Sequence, residues 1–78
     1  MPTVFRFQSY RFFFYSNEGD EPPHVHVERD RFTAKFWLSP VELARNSRFG
    51  SVELNRLTDI VKLHEAHIEE AWHEYFDA

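Results

Sequence analysis

The sequence predicts an α+β fold: an antiparallel sheet of four to five strands with a long C-terminal helix packed across one face. Three observations lead there. Apolar and polar residues alternate with period two through the first half of the chain, Gly and Pro fall between those runs, and the last third carries apolar residues at steps of three and four. At 78 residues the chain holds a single small domain, 1–78, with the sheet over about 3–45 and the helix over about 52–76.

In the first strand, Thr3–Phe7, Phe5 and Phe7 share a face, and Gln8-Ser9 can turn the chain into residues 10–15. There Tyr10, Phe12 and Phe14 line one face while Arg11, Phe13 and Tyr15 line the other. Neither face suits water, so this is a central strand or one with a face at an interface. Residues 16–23, Ser-Asn-Glu-Gly-Asp-Glu-Pro-Pro, form a loop by composition. The chain resumes as a strand at His24, and a polar turn around Asp30 leads into Phe32–Leu38, the clearest half-buried strand. Ser39-Pro40 breaks it. Residues 41–45 form a fifth short strand or an irregular crossing, with Leu43 facing inward.

Ser51 is the expected N-cap, with Glu53 favourable in the first turn. Leu54, Leu57, Val61, His64, Ile68, Ala71 and Tyr75 then form the helical series. A continuous helix over 52–76 would be about 37 Å long, more than the width of so small a domain, so part of it should project or meet another chain. Ile60, Leu63, Trp72 and Phe76 widen the stripe beyond a coiled-coil seam, which favours packing on a sheet.

Composition narrows the chemistry. Without cysteine there are no disulfides, thiolate metal sites or cysteine nucleophiles, which leaves histidine and carboxylate as ligands. The formal charge is −4, and protonation of all five histidines would bring it to +1. Residues 51–78 carry two basic and seven acidic side chains, so the C-terminal element is acidic. That balance opposes a phosphate backbone and disfavours RNA as a partner. No run approaches the roughly 18 apolar residues of a membrane span and no signal segment opens the chain, so a cytoplasmic protein is expected. Fourteen aromatic residues exceed what so small a core comfortably encloses, which points to a partner surface.

The segment Glu21-Pro22-Pro23-His24-Val25-His26-Val27-Glu28 is the most distinctive. In a strand, His24, His26 and Glu28 share one face, and two imidazoles about 7 Å apart can converge on one ion. Glu28 lies about 13 Å from His24 along a straight strand, too far for the same ion. A third ligand must come from elsewhere, with His64, His67 or His73 as candidates. The plain alternative is a solvated pair of histidines. The sequence leads to no expected cofactor, with divalent zinc, nickel or copper open to the pair. His64 falls in the apolar series as a core histidine, and His64-Glu65-Ala66-His67 is one residue short of a zinc-protease motif.

The motifs Met1-Pro2-Thr3-Val4-Phe5-Arg6, Tyr10-Arg11-Phe12-Phe13-Phe14-Tyr15, Glu21-Pro22-Pro23-His24-Val25-His26-Val27, Ala34-Lys35-Phe36-Trp37-Leu38 and Ala71-Trp72-His73-Glu74-Tyr75-Phe76 together resemble a small bacterial family, domain of unknown function 4160. The resemblance covers nearly the full length and brings no catalytic set. It implies a short stand-alone gene beside one of another family, domain of unknown function 2442, in a layout similar to toxin–antitoxin pairs. The expected function is therefore a component of a two-gene, toxin–antitoxin-like module acting by protein–protein contact. Its partner would be a small protein from the adjacent gene, or a second copy in a homodimer. Phe13, Tyr15, Trp37 and Trp72 are the expected partner contacts, and the acidic tail complements a basic partner. The alternatives are a small metal-independent ribonuclease-like toxin, with His24 and His26 transferring protons and Arg6 or Arg11 stabilising phosphate, and a metal-binding or pH-responsive module on the same histidine pair.

Overall fold

The computed structural model describes residues 2–77; Met1, part of the first motif quoted above, and Ala78 lie outside the described residues. Five strands, β1 (Thr3–Phe7), β2 (Tyr10–Phe13), β3 (His24–Arg29), β4 (Phe32–Leu38) and β5 (Val41–Ser47), are followed by α1 (Ser51–Leu63) and α2 (Glu65–Phe76). The strands pair in chain order, each antiparallel to the next, as a meander. Two-residue loops close the β1/β2 and β3/β4 hairpins, and the first residue of each, Gln8 or Asp30, sits at φ 55°, the left-handed region that suits strand twist. Asp adopts that region readily; Gln does so against its preference.

Register sorts the side chains. Phe5, Phe12, Val27 and Ala34 are cross-strand partners on one face, which α1 and α2 cover with Leu57, Ile60, Val61 and Ile68. Arg11, Phe13, His26, Glu28, Lys35 and Arg45 lie on the other. The fifth strand forms and runs to Ser47, but Leu43 is less buried than an inward-facing residue should be. It pairs with Phe36 at the sheet edge, where only one side has a neighbouring strand, and stays 44% exposed.

The single helix expected over 52–76 is two helices, broken at His64. The backbone N–H and ring Nδ1–H of His64 both donate to the Ile60 carbonyl, at 3.1 and 2.9 Å. That shared acceptor tightens the turn, and His64 leaves helical geometry at φ −104°, ψ 13°. The bend also corrects the expectation that the helix projects. Trp72, Tyr75 and Phe76 come back onto the Phe14 ring, with centroids 5.2, 6.5 and 5.9 Å away. The expected cap is displaced as well: Gly50 holds the N-cap position and Ser51 is the first helical residue, with no side-chain cap bond. Glu53 does occupy the first turn, where Arg29 grips it through both carboxylate oxygens at 3.0 and 3.1 Å and the Tyr10 hydroxyl donates to it.

Candidate metal centre

The loop over residues 16–23 lies between the start of β3 and the end of α2, meeting the first through Glu18 and the second at Gly19. A turn closes it where the Glu21 N–H donates to the Glu18 carbonyl at 3.1 Å, and its far end is tied by the Leu38 N–H to the Pro23 carbonyl at 3.2 Å. Gly19 lets the loop approach α2: a Cβ there would stand 2.9 Å from Cδ1 of Phe76. Seated in this way, the loop turns Glu18 towards β3.

Period two in β3 places His24 and His26 side by side, their rings 5.1 Å apart. Oε1 of Glu18 lies 2.8 Å from Nε2 of His24 and 2.6 Å from Nε2 of His26. One ligand atom from each of the three residues falls within 4.8 Å of the others. Sequence reasoning placed the third ligand among His64, His67 and His73; the structure brings Glu18 instead. His64 and His67 lie against Phe5, and Nδ1 of His73 pairs with Asp77 at 2.5 Å. Glu28 shares the histidine face as expected and is taken by Arg11, at 3.1 Å.

The surroundings fix the chemistry of each ring. Nδ1 of His24 lies 2.9 Å from the Pro22 carbonyl oxygen, which can only accept, so Nδ1 carries the hydrogen. Nε2 then faces the Glu18 carboxylate oxygen and is the ring nitrogen turned towards the other two candidate ligands. A backbone carbonyl fixing the far nitrogen is the usual support of a metal-bound histidine. Burial pushes the Glu18 carboxyl up, but the hydrogen bonds from His24 and then His26 outweigh it and hold it below the ordinary 4.5. The His26 imidazole is pushed below its ordinary 6.5, chiefly by burial against Phe13 and Tyr15, which outweighs the opposing pull of Glu18. An ionised carboxylate and a neutral imidazole are the forms that ligate metal. Ligand atoms around a tetrahedral zinc stand about 3.3 Å apart, given bonds of about 2.0 Å. Admitting an ion thus requires Glu18 to withdraw by about 0.5–0.7 Å, which a loop residue can do more readily than a strand residue, with the imidazoles adjusting around the ion.

Access is graded. The His24 side chain is fully buried between Trp37 and Trp72, whereas His26 and Glu18 keep 13% and 18% of their side-chain surface exposed. His24 therefore has no surface with which to meet a substrate directly. Among the expected partner contacts, Phe13 and Trp72 are 1% and 3% exposed and their surface is used within the chain. Tyr15 stays 38% exposed and Trp37 is half-buried. The expected phosphate-stabilising arginines, Arg6 and Arg11, face each other across β1 and β2, one rung away from the Phe13 and His26 pair. The cations level with His26 are Lys35, its partner on β4, and Arg45, opposite Lys35 on β5.

A cavity of about 120 Å³ opens beside His26, walled by Phe13, Tyr15, Thr33, Lys35 and Arg45. A wider hollow of about 450 Å³ at the start of α1 is bordered by Glu53, whose carboxylate is already held by Arg29 and Tyr10. Among the described residues no helix is long and apolar enough to cross a membrane. The family described as Domain of unknown function (DUF4160) matches residues 9–73. No curated protein and no solved structure matches the chain.

Proposed function

Since the chain belongs to the DUF4160 family, whose description names no activity, we propose a function from its site: binding of one divalent transition metal ion, zinc first, by Glu18, His24 and His26. The observation that carries this reading is the pair of acceptors facing both nitrogens of a fully buried His24. Two imidazoles and a carboxylate are a donor set zinc accepts readily, and nickel and copper are its competitors. Three protein ligands leave a coordination position open, as in zinc sites that bind or activate a further ligand. The test is calorimetric titration of the chelator-treated protein with zinc, nickel and copper. The expected result is one ion per chain, lost in Glu18→Ala and His26→Ala variants that keep the wild-type circular dichroism spectrum. Absence of uptake by folded wild-type protein, or uptake that survives both substitutions, overturns the reading.

A second reading retains the bacterial, cytoplasmic two-gene module acting through a small protein partner. Val52 and Leu63, each 81% exposed, support it as large apolar side chains that the fold leaves in water. Co-purification with the product of the neighbouring gene tests it. A monomer that the product does not bind removes it.

A further inference from the structure

The cavity beside His26 is walled in a way the metal centre does not require. Strand register sets Arg45 directly opposite Lys35, and both line the cavity. Like charges at directly opposed positions are unfavourable, and a carboxylate on either strand would remove the conflict. Lys35 is nearly buried and answered by Glu21, with Nζ 2.6 Å from Oε1. Arg45, on the exposed edge strand, has no ion pair among the described residues. Thr33 adds a hydroxyl to the wall and Tyr15 an exposed ring at the mouth.

From this arrangement we infer that the cavity is an oxyanion site that takes a phosphoryl group, with Arg45 as its uncompensated cation beside the Lys35–Glu21 pair. The guanidinium offers the paired N–H donors that match phosphate oxygens. The volume decides the size class. About 120 Å³ corresponds to roughly four water molecules, enough for one tetrahedral anion and far below the volume of a drug-sized pocket. Whatever carries the phosphoryl group therefore lies outside the cavity, where the Tyr15 ring offers a stacking face for a nucleobase. The site shares His26 with the metal centre but does not depend on metal being bound. A metal ion there adds positive charge beside the cavity and tightens the anion.

The experiment is calorimetric titration of inorganic phosphate and, separately, adenosine monophosphate into the wild type, Arg45→Gln and Tyr15→Leu proteins, each metal-free. The expected result is binding of both anions by the wild type, weakened tenfold or more by Arg45→Gln. Loss of adenosine monophosphate binding alone in Tyr15→Leu identifies a nucleotide as the occupant, and equal behaviour of both anions identifies free phosphate. A folding defect is excluded by thermal unfolding at low salt. Without ligand, Arg45→Gln should melt at or above the wild-type temperature, because the substitution relieves a like-charge pair; phosphate should raise the melting temperature of the wild type only. No binding by folded wild type, or equal binding by Arg45→Gln, overturns the inference. Failure of the metal reading looks different: no zinc uptake, with phosphate binding still sensitive to Arg45→Gln.

Discussion

Replacement of Gly19 by Ala tests whether the loop over residues 16–23 is positioned by α2. The added methyl carbon would stand 2.9 Å from Cδ1 of Phe76, against about 3.5–4.0 Å for an unstrained carbon contact. The ring it meets is hemmed in by Trp72, Tyr75 and Phe14 at centroid distances of 4.1, 4.8 and 5.9 Å, so it cannot simply swing aside. Overpacking of this kind costs about 1–3 kcal/mol. Gly19 does not have positive φ, so Ala fits the backbone and restricts the unfolded chain, which returns roughly 0.4–1 kcal/mol. Taking the middle of each range, the net loss is about 1.3 kcal/mol, and at about 4–8 °C per kcal/mol for a domain of this size the melting temperature should fall by about 5–10 °C. Differential scanning calorimetry measures the fall. If the loop yields rather than the ring, Glu18 moves off the histidines and zinc affinity drops with stability. Adding Phe76→Leu to Gly19→Ala should restore part of both, as a coupled contact requires. A Gly19→Ala protein with unchanged melting temperature and zinc affinity refutes the argument.

Other expectations concern separate parts of the molecule. The Glu53 carboxyl is held below its ordinary 4.5, first by the hydrogen bond from Arg29 and then by that from Tyr10. A depressed folded pKa contributes stability that is complete above the unfolded value and lost as pH falls through the folded one, so denaturant midpoints should drop below about pH 4.5 and Glu53→Gln should flatten that acid limb. Replacing Gln8, at φ 55°, with Gly should stabilise the β1/β2 hairpin by about 0.5–1 kcal/mol, seen as a higher urea midpoint with an unchanged slope. Glu28→Gln removes a partly exposed ion pair with Arg11, so its cost should stay under about 1 kcal/mol and zinc stoichiometry should not change.

The strands were legible because alternation is a local property: Phe32–Leu38 reads the same in the sequence and in β4. The helix break was not, because His64 falls on the apolar series and nothing in its spacing reveals that the ring will share the Ile60 carbonyl with the backbone. Pairing of His24 with His26 follows from strand period alone. The sequence does not reveal Glu18 because the loop that carries it packs at Gly19 against Phe76, a residue 57 positions further along the chain. A loop carboxylate beside a glycine, just ahead of two prolines, was the available signal. The aromatic excess was assigned to a partner surface that includes Phe13 and Trp72. Phe13 and Trp72 are instead buried within the chain, Phe13 against Tyr15 and His26 and Trp72 against Phe14, His24 and Phe76.

The contact between Gly19 and Phe76 also orders events in time. A meander is built from neighbours in sequence, and such local pairings form quickly and early. A chain synthesised from its N-terminus can therefore align His24 with His26 while the last turn of α2 is still unmade. Until that turn arrives, Gly19 lacks the Phe76 ring against which the loop packs. If the site holds an ion as proposed, its assembly waits on the ring of Phe76, far downstream of the histidines, which packs against the loop at Gly19.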